Sequence, residues 1–190
     1  MTPPGTWTGR LAVATPSLTD PNFSRTVVLL LQHDADDGAF GLILNVPMDT
    51  TVQEILPEWA FLTGDRPQVF EGGPVSPNTA VCLARSRPGA AAVAAFAPLE
   101  NVPRLGTVDL DASPLEMAEV IEEVRLFAGY AGWSAGQLES ECDEGAWWVL
   151  DLLPGDVFSA TPELLWSQVL RRQGPPLAFA AIYPADPGLN

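Results

Sequence analysis

Lysine is absent from this chain of 190 residues, so its nine basic side chains are all arginines, and 24 acidic side chains oppose them. The formal charge is therefore −15 at neutral pH. Proteins that bind DNA draw much of their affinity from cationic side chains at phosphates, and a strongly acidic chain repels a polyanion. We therefore expect no direct contact with nucleic acid.

Histidine and cysteine are scarce. The chain has one histidine, His33, and two cysteines, Cys82 and Cys142, which form no C-x-x-C motif. A structural zinc site takes four ligands, usually cysteine and histidine, so we expect no metal centre and no cofactor. Each cysteine lies in an apolar setting, which indicates buried thiols that form no essential disulfide.

Long apolar runs are missing as well. The longest apolar windows, at 89–99 and 175–185, fall well short of the about 20 residues that span a bilayer. The first nine residues have neither a basic start nor an apolar segment, unlike a secretory signal. These absences predict a cytosolic protein that makes no membrane contact.

Apolar residues, in contrast, are plentiful. They make up 47% of the chain, which excludes a disordered polypeptide because enough apolar surface exists to offset the entropy of ordering. A chain of this length supports one sizeable core. We therefore predict a single domain over residues 1–190, with a smaller α/β subdomain from about residue 110 as the alternative.

Hydrophobic patterning predicts strands first and helices later. Residues 26–31 and 40–46 are apolar runs joined by a polar turn, which is typical of a hairpin, and the first run lacks alternation, as in a strand buried on both faces. Further strands are predicted at 11–14, 68–71, 79–84, 93–97, 105–110, 126–129, 146–151 and 177–183. Capping patterns predict helices near 51–58, 114–125, 135–144 and 162–172. Helices that do not alternate regularly with strands favour an α+β fold.

The helix predicted at 114–125 is amphipathic. Met117, Ile121 and Val124 recur at helical spacing and are expected to face the core. Four glutamates are expected on its solvated face: Glu116, Glu119, Glu122 and Glu123.

Ser24, His33 and Asp34 are the residue types of a hydrolytic triad, so an enzyme that uses the His33 region is one hypothesis. However, no serine lies in a G-x-S-x-G motif. A histidine at the end of a strand is more often held by structural hydrogen bonds. We interpret His33 first as a structural residue, and catalytic residues stay unassigned.

Two glycine-rich segments are candidate binding elements. Gly72 and Gly73 follow a predicted strand, but no third glycine completes a dinucleotide motif, so a tight turn is the plainer interpretation. In residues 127–133 glycines alternate with aromatic side chains. Tyr130 and Trp133 could line a pocket there, or they could serve only as aromatic packing.

A polar cluster at one end of the hairpin is the third candidate. Asn22 and Arg25 lie in the loop before the first hairpin strand, and Asn45 lies at the end of the second. A turn centred near residue 36 brings Asn45 beside Arg25 and leaves His33 at the opposite end. The cluster could bind an anionic or amide-bearing partner. Alternatively, Arg25 and Asn45 could have no role beyond fastening the loop through hydrogen bonds to backbone carbonyls.

Many short motifs stand in the order found in a bacterial protein family. They are Thr15-Pro16-x-Leu18-x-Asp20-Pro21-Asn22-Phe23-x-Arg25-Thr26-Val27-Val28, His33-Asp34, Gly41-Leu42-Ile43-Leu44-Asn45, Gly72-Gly73-Pro74-Val75, Gly129-Tyr130-Ala131-Gly132-Trp133, Gly136-Gln137-Leu138-Glu139, Gly145-x-Trp147 and Leu165-Trp166. From about residue 9 to residue 174 the chain resembles the YqgE/AlgH family. The resemblance implies a complex α+β fold, in which a bifurcated sheet with a small barrel is surrounded by about four helices.

The resemblance brings no catalytic residues, because the family has no assigned biochemical function. Some members carry the label of transcriptional regulator. Two positions depart from the family: Ala84 stands where a histidine is frequent, and Val46 stands where a basic residue is frequent. Chemistry that needs either group is not expected here.

Three hypotheses for the function follow. The favoured one is a non-enzymatic cytosolic module that binds a small molecule or a protein partner. The alternatives are an enzyme that uses the His33 region and a transcriptional regulator that acts through a protein partner.

Overall fold

One mixed sheet organises the chain, and a computed structural model describes residues 5–183. The strands are β1 (Leu11–Ala14), β2 (Val27–Asp34), β3 (Gly38–Ile43), β4 (Pro47–Thr51), β5 (Gln68–Glu71), β6 (Val75–Ser86), β7 (Phe96–Pro98), β8 (Leu105–Val108), β9 (Ile121–Trp133) and β10 (Trp147–Leu150). The helices are α1 (Val52–Ile55), α2 (Pro114–Met117), α3 (Gln137–Asp143), α4 (Leu165–Arg171) and α5 (Leu177–Ala180), with 3-10 turns at Pro57–Leu62 and Pro162–Leu164. None of these helices is long and apolar enough to cross a bilayer.

The sheet divides at β9. One side of β9 pairs with β6 over most of its length. On the other side, residues 131–133 pair with β3, whereas residues 127–128 pair in parallel with β5. From β3 the sheet continues through β2 and β1 to β10, while β5 continues only to β4. This branched, curled sheet with its short helices confirms the predicted α+β class.

The β2–β3 hairpin is buried on both faces, as the sequence predicts. Val27 and Leu29 point to one apolar cluster and Val28 and Leu30 to another, because side chains alternate along a strand. Helix α4 covers the first face and α3 covers the second. A third cluster, around the buried side chain of Trp59, fills the space between the β6–β9 pair and the helices α1 and α2.

The helix predicted at 114–125 is wrong beyond Met117. Helix α2 begins after Ser113 as predicted, but Ile121 already belongs to β9. Between Ile121 and Glu123 the register with β6 shifts, so Glu122 is an extra residue in a β-bulge. Because of this bulge, Ile121 and Val124 face the same cluster as Met117 at a spacing that imitates a helix. Consequently Glu122 and Glu123 lie on a strand and not on a solvated helical face.

The strand predicted at 177–183 is also wrong. Residues 177–180 form α5, a turn of helix that packs against α4. Leucine and alanine have high helix propensity, which favours a helix here. Two prolines precede the segment, and proline is tolerated at the start of a helix. Strand β4 was not predicted, because it begins with Pro47 and a proline usually argues against a strand. Proline is nevertheless tolerated at the first residue of a strand.

Candidate functional site

The structure brings Arg25 and Asn45 together at one end of the hairpin. Asn45 Oδ1 accepts a hydrogen bond from the Val27 N–H at 2.8 Å, and Asn45 Nδ2 donates to the Arg25 carbonyl at 3.0 Å. Arg25 itself adopts a left-handed backbone conformation with φ of 57°. Asn45 therefore fastens the chain on both sides of Thr26, where the loop turns into β2.

The Arg25 side chain packs on the protein's own surface. Its guanidinium carbon lies 4.5 Å from the centroid of the Trp166 ring, and Nη2 donates to the Tyr183 carbonyl. Asn22 is exposed in a turn in which its N–H donates to Asp20 Oδ1 at 2.9 Å. These contacts agree with a fastening role for Arg25 and Asn45, and a binding role for the cluster stays a prediction.

Gly72 and Gly73 lie where two backbones approach closely. A Cβ atom on Gly72 would overlap the Gly129 carbonyl oxygen, and one on Gly73 would overlap the Tyr130 backbone. The Gly72 N–H donates to the Ala128 carbonyl at 2.8 Å. Close backbone packing is therefore sufficient to explain both glycines.

Tyr130 and Trp133 lie on different sides of the sheet. Tyr130 is half-buried against the Phe40 ring, with 4.8 Å between the ring centroids. Trp133 is buried against Trp147, and both indole N–H groups donate to Glu141 Oε2, at 3.0 and 2.8 Å. The seven residues expected at a binding site therefore do not converge on one place.

His33 is buried, and both of its ring nitrogens are engaged. Nδ1 accepts a hydrogen bond from the Trp7 N–H at 3.1 Å, and Nε2 lies 2.9 Å from Glu139 Oε1. The Trp7 indole stacks on the imidazole with 4.5 Å between the ring centroids. Because Nδ1 accepts, Nε2 carries the proton that it donates to Glu139. No ring lone pair is left for a substrate, which argues for a structural His33.

A cleft of about 330 Å³ lies elsewhere, between the loop 101–105 and the segment 152–158. We call it the arginine cleft, because Arg85 and Arg104 line it among mainly apolar side chains such as Leu153. Small-molecule sites combine apolar walls with a few polar groups, and their volumes start at about 300 Å³. The arginine cleft has both properties.

Two glutamates hold the arginines of the cleft. Arg104 Nη2 lies 2.7 Å from Glu122 Oε2, and Arg104 Nε donates to the Ser86 carbonyl at 2.7 Å. Arg85 Nε lies 3.3 Å from the same Glu122 oxygen, while its Nη2 donates to Glu123. The bulge in β9 is what presents both carboxylates to Arg85. Burial raises the pKa of Glu123, and the cation of Arg85 opposes that rise.

A third arginine stands behind the wall of the cleft. Arg125 is only 2% exposed, and it donates to the carbonyls of Val157 and Ser159 at 2.6 and 3.3 Å. Its guanidinium carbon lies 4.4 Å from the Phe70 ring centroid and 5.7 Å from that of Phe158. Burial lowers the pKa of Arg125 to about 10, so the side chain is still charged at neutral pH.

The same wall is fastened at its other end by an ion pair between Arg172 and the buried carboxylate of Asp156. Arg172 donates to both carboxylate oxygens of Asp156 at 2.7 Å and to the Asp151 carbonyl at 2.9 Å. Asp156 in turn accepts from the Leu153 N–H at 2.8 Å. Segment 152–158 has no regular secondary structure, and these contacts tie it to the side chains of Arg125 and Arg172.

The opposite wall contains strained backbone. Asn101 and Arg104 have φ of 63° and 64°, and they are two of the four non-glycine residues in the described chain with positive φ. An arginine in this region costs about 1 kcal/mol, and such strain tends to occur at binding sites. Gly9, which also has positive φ, lets the loop approach because a Cβ there would overlap Val102.

Sequence reasoning missed the arginine cleft for a physical reason. Its walls come from segments near residues 9, 85, 104 and 155, which only the folded sheet brings together. The wrong helix at 114–125 also placed Glu122 and Glu123 in solvent. The one available signal in the sequence was the charge of Arg125, which stands as a single cation within an apolar stretch.

Comparisons with known proteins find relatives that match nearly the whole chain. The family model described as AlgH-like matches residues 11–178. A UPF0301 protein from Streptomyces avermitilis is 50% identical over 191 residues, covering 100% of this chain and 98% of that relative. One from Thermobifida fusca is 48% identical over 188 residues, covering 96% and 95%.

Solved structures show the same fold. The crystal structure of a protein from Corynebacterium diphtheriae has a TM-score of 0.87 at 32% identity and covers 96% of this chain and 95% of its own. The solution structure of the AlgH protein from Pseudomonas aeruginosa has a TM-score of 0.67 at 26% identity and covers 97% of each chain. The resemblance read from the ordered motifs is thereby confirmed, and the chain belongs to the AlgH-like family.

Proposed function

We propose that this protein is a non-enzymatic binding module that holds a small molecule in the arginine cleft. The observation that carries the proposal is a cleft with apolar walls and two arginines. Both sides of the cleft are held by contacts within the protein, without any ligand. A preorganised site binds without the entropy cost of ordering its walls. The contacts that Arg125 and Arg172 make with segment 152–158 support such preorganisation.

An enzyme based on the His33 region has less support. A general base needs a free lone pair within reach of a substrate proton. Both nitrogens of the His33 imidazole are already used inside the protein, and the ring is buried under Trp7.

A cytosolic location and a regulatory role through a protein partner are compatible with the proposal. Two free thiols, Cys82 and Cys142, fit a reducing compartment. Ligand occupancy of the cleft would be the signal that such a partner senses. Direct contact with DNA is not part of the proposal, because the net charge is −15.

The test uses two exposed leucines that differ in their position. Leu153 lines the cleft and is 48% exposed, whereas Leu164 is 54% exposed and does not line it. We would screen a small-molecule fragment set by saturation-transfer NMR against wild type, Leu153→Trp and Leu164→Trp. Fragments that bind wild type and Leu164→Trp but not Leu153→Trp are expected. Identical binding to all three proteins would refute a ligand site in the cleft.

A further inference from the structure

Positive charge concentrates around the arginine cleft in an otherwise strongly acidic protein. Five of the nine arginines line the cleft, contact its walls or pair with a residue next to a wall: Arg10, Arg85, Arg104, Arg125 and Arg172. Arg10 belongs to this set because it pairs at 2.8 Å with Asp151, next to the wall residue Leu152. The surrounding protein repels anions, so this concentration is a local exception.

One arginine of this set has no carboxylate within ion-pair distance. Four of the five arginines pair with four carboxylates: Glu122, Glu123, Asp151 and Asp156. Arg125 forms no ion pair with any carboxylate of residues 5–183, since its hydrogen bonds go to two backbone carbonyls. Glu123 and Glu163 act on Arg125 only from beyond ion-pair distance, so this buried cation still adds positive potential to the cleft that it backs.

The two guanidinium groups of the cleft compete for one carboxylate oxygen. Arg85 Nε lies 3.3 Å from Glu122 Oε2 and is itself too buried to meet a ligand. Arg104 shares that same Glu122 oxygen, and its side chain is 39% exposed. One glutamate oxygen therefore serves two guanidinium groups, which leaves donor capacity for a further anion.

We propose that the arginine cleft binds a small amphipathic anion, whose acidic group meets Arg104 and Arg85 and whose apolar body lies against Leu153, Val157 and Phe158. This inference rests on the proposed function and names the ligand class. The anion supplies a second acceptor for the guanidinium groups that share Glu122, above all for the exposed side chain of Arg104. The apolar walls require a hydrophobic body, and the volume of about 330 Å³ limits the size of that body.

The experiment compares two fluorescent probes with one shared body. The probes are 8-anilinonaphthalene-1-sulfonate, an anion, and N-phenyl-1-naphthylamine, which lacks the sulfonate. Each probe is titrated into wild type, Arg104→Gln and Arg87→Gln. Its fluorescence is excited at the absorption maximum of that probe and recorded as a function of probe concentration. Arg87 is the control because it is an exposed arginine that does not line the cleft.

We expect wild type to bind the sulfonate about tenfold more tightly than the neutral probe. Arg104→Gln loses that preference and keeps its affinity for the neutral probe, whereas Arg87→Gln behaves as wild type. Melting curves of each variant check that the fold is intact. On wild type alone, raising the salt concentration weakens binding of the sulfonate and not of the neutral probe.

The two ways of failing are distinguishable. If both probes bind equally, and Leu153→Trp but not Leu164→Trp abolishes that binding, the ligand class is wrong and the cleft is still a site. If Leu153→Trp leaves the binding of both probes unchanged, the proposed function fails and the inference fails with it.

Discussion

Replacing Arg125 by methionine should destabilise the protein substantially. Methionine fills a similar volume but donates no hydrogen bond, so the carbonyls of Val157 and Ser159 lose their buried partner. Each bond from a charged donor contributes about 1.5–3 kcal/mol, and the contact with the Phe70 ring adds about 1–2 kcal/mol. Removing a buried cation offsets part of this loss. We expect a net loss of about 3 kcal/mol in the free energy of unfolding.

The loss converts into a fall of about 6–12 °C in Tm for a chain of this size. Thermal unfolding followed by circular dichroism measures it, and limited proteolysis should show new cleavage within 152–158. Arg87→Met is the matched control, because Arg87 is exposed and makes one carbonyl contact, at 3.0 Å to Ala118. It should cost less than about 1 kcal/mol. If both variants melt within a degree of wild type, the reasoning about the buried guanidinium is refuted.

Four further predictions concern other parts of the molecule. Gly72→Ala should lower the free energy of unfolding by about 2 kcal/mol in denaturant titrations, because its Cβ would overlap backbone, whereas Gly155→Ala, with no atom within 4 Å, should change it little; equal effects would contradict this. Arg25→Gln should lower Tm by about 2–4 °C, since it removes the contact with an indole ring, and leave probe binding in the cleft unchanged; lost binding at an unchanged Tm would make Arg25 a site residue. Burial raises the pKa of Cys82 to about 12 and that of Cys142 to about 11, so both thiols should react slowly with a disulfide reagent at pH 8 and faster as the pH rises. Cys142 should react first because it is only half-buried, and rapid labelling of both thiols at pH 7 would contradict burial. No sequence-selective binding to DNA is expected in mobility-shift assays at about 0.1 M salt, and nanomolar affinity there would overturn the charge argument.

Local signals in the sequence predict the hairpin well. The apolar runs 26–31 and 40–46 predict strands buried on both faces, although β3 spans Gly38–Ile43 and the register shifts between Leu30 and Gln32. Asn45 returns to Arg25 as the turn geometry requires. Such predictions succeed because each depends on contacts between neighbours in the chain.

The prediction failed where a bulge or a distant contact decides the structure. Glu122 is an extra residue in β9, and a bulge of this kind imitates the spacing of a helix in the sequence. Similarly, residues 177–183 carry an apolar pattern that suits a short strand or a short helix, and packing against α4 decides between them. The arginine cleft could not be predicted, because its four segments meet only after the sheet has formed.

The pairing of the first and last strands has a consequence for protein synthesis. In the sheet Leu11 of β1 lies opposite Leu150 of β10, 139 residues further along the chain. At about 5–20 residues per second, a ribosome needs roughly 7–28 s to make that stretch. Until then one edge of β1 has no partner, and unpaired apolar strand edges are prone to aggregate. A nascent chain of this protein therefore exposes an unpaired apolar strand edge throughout that interval.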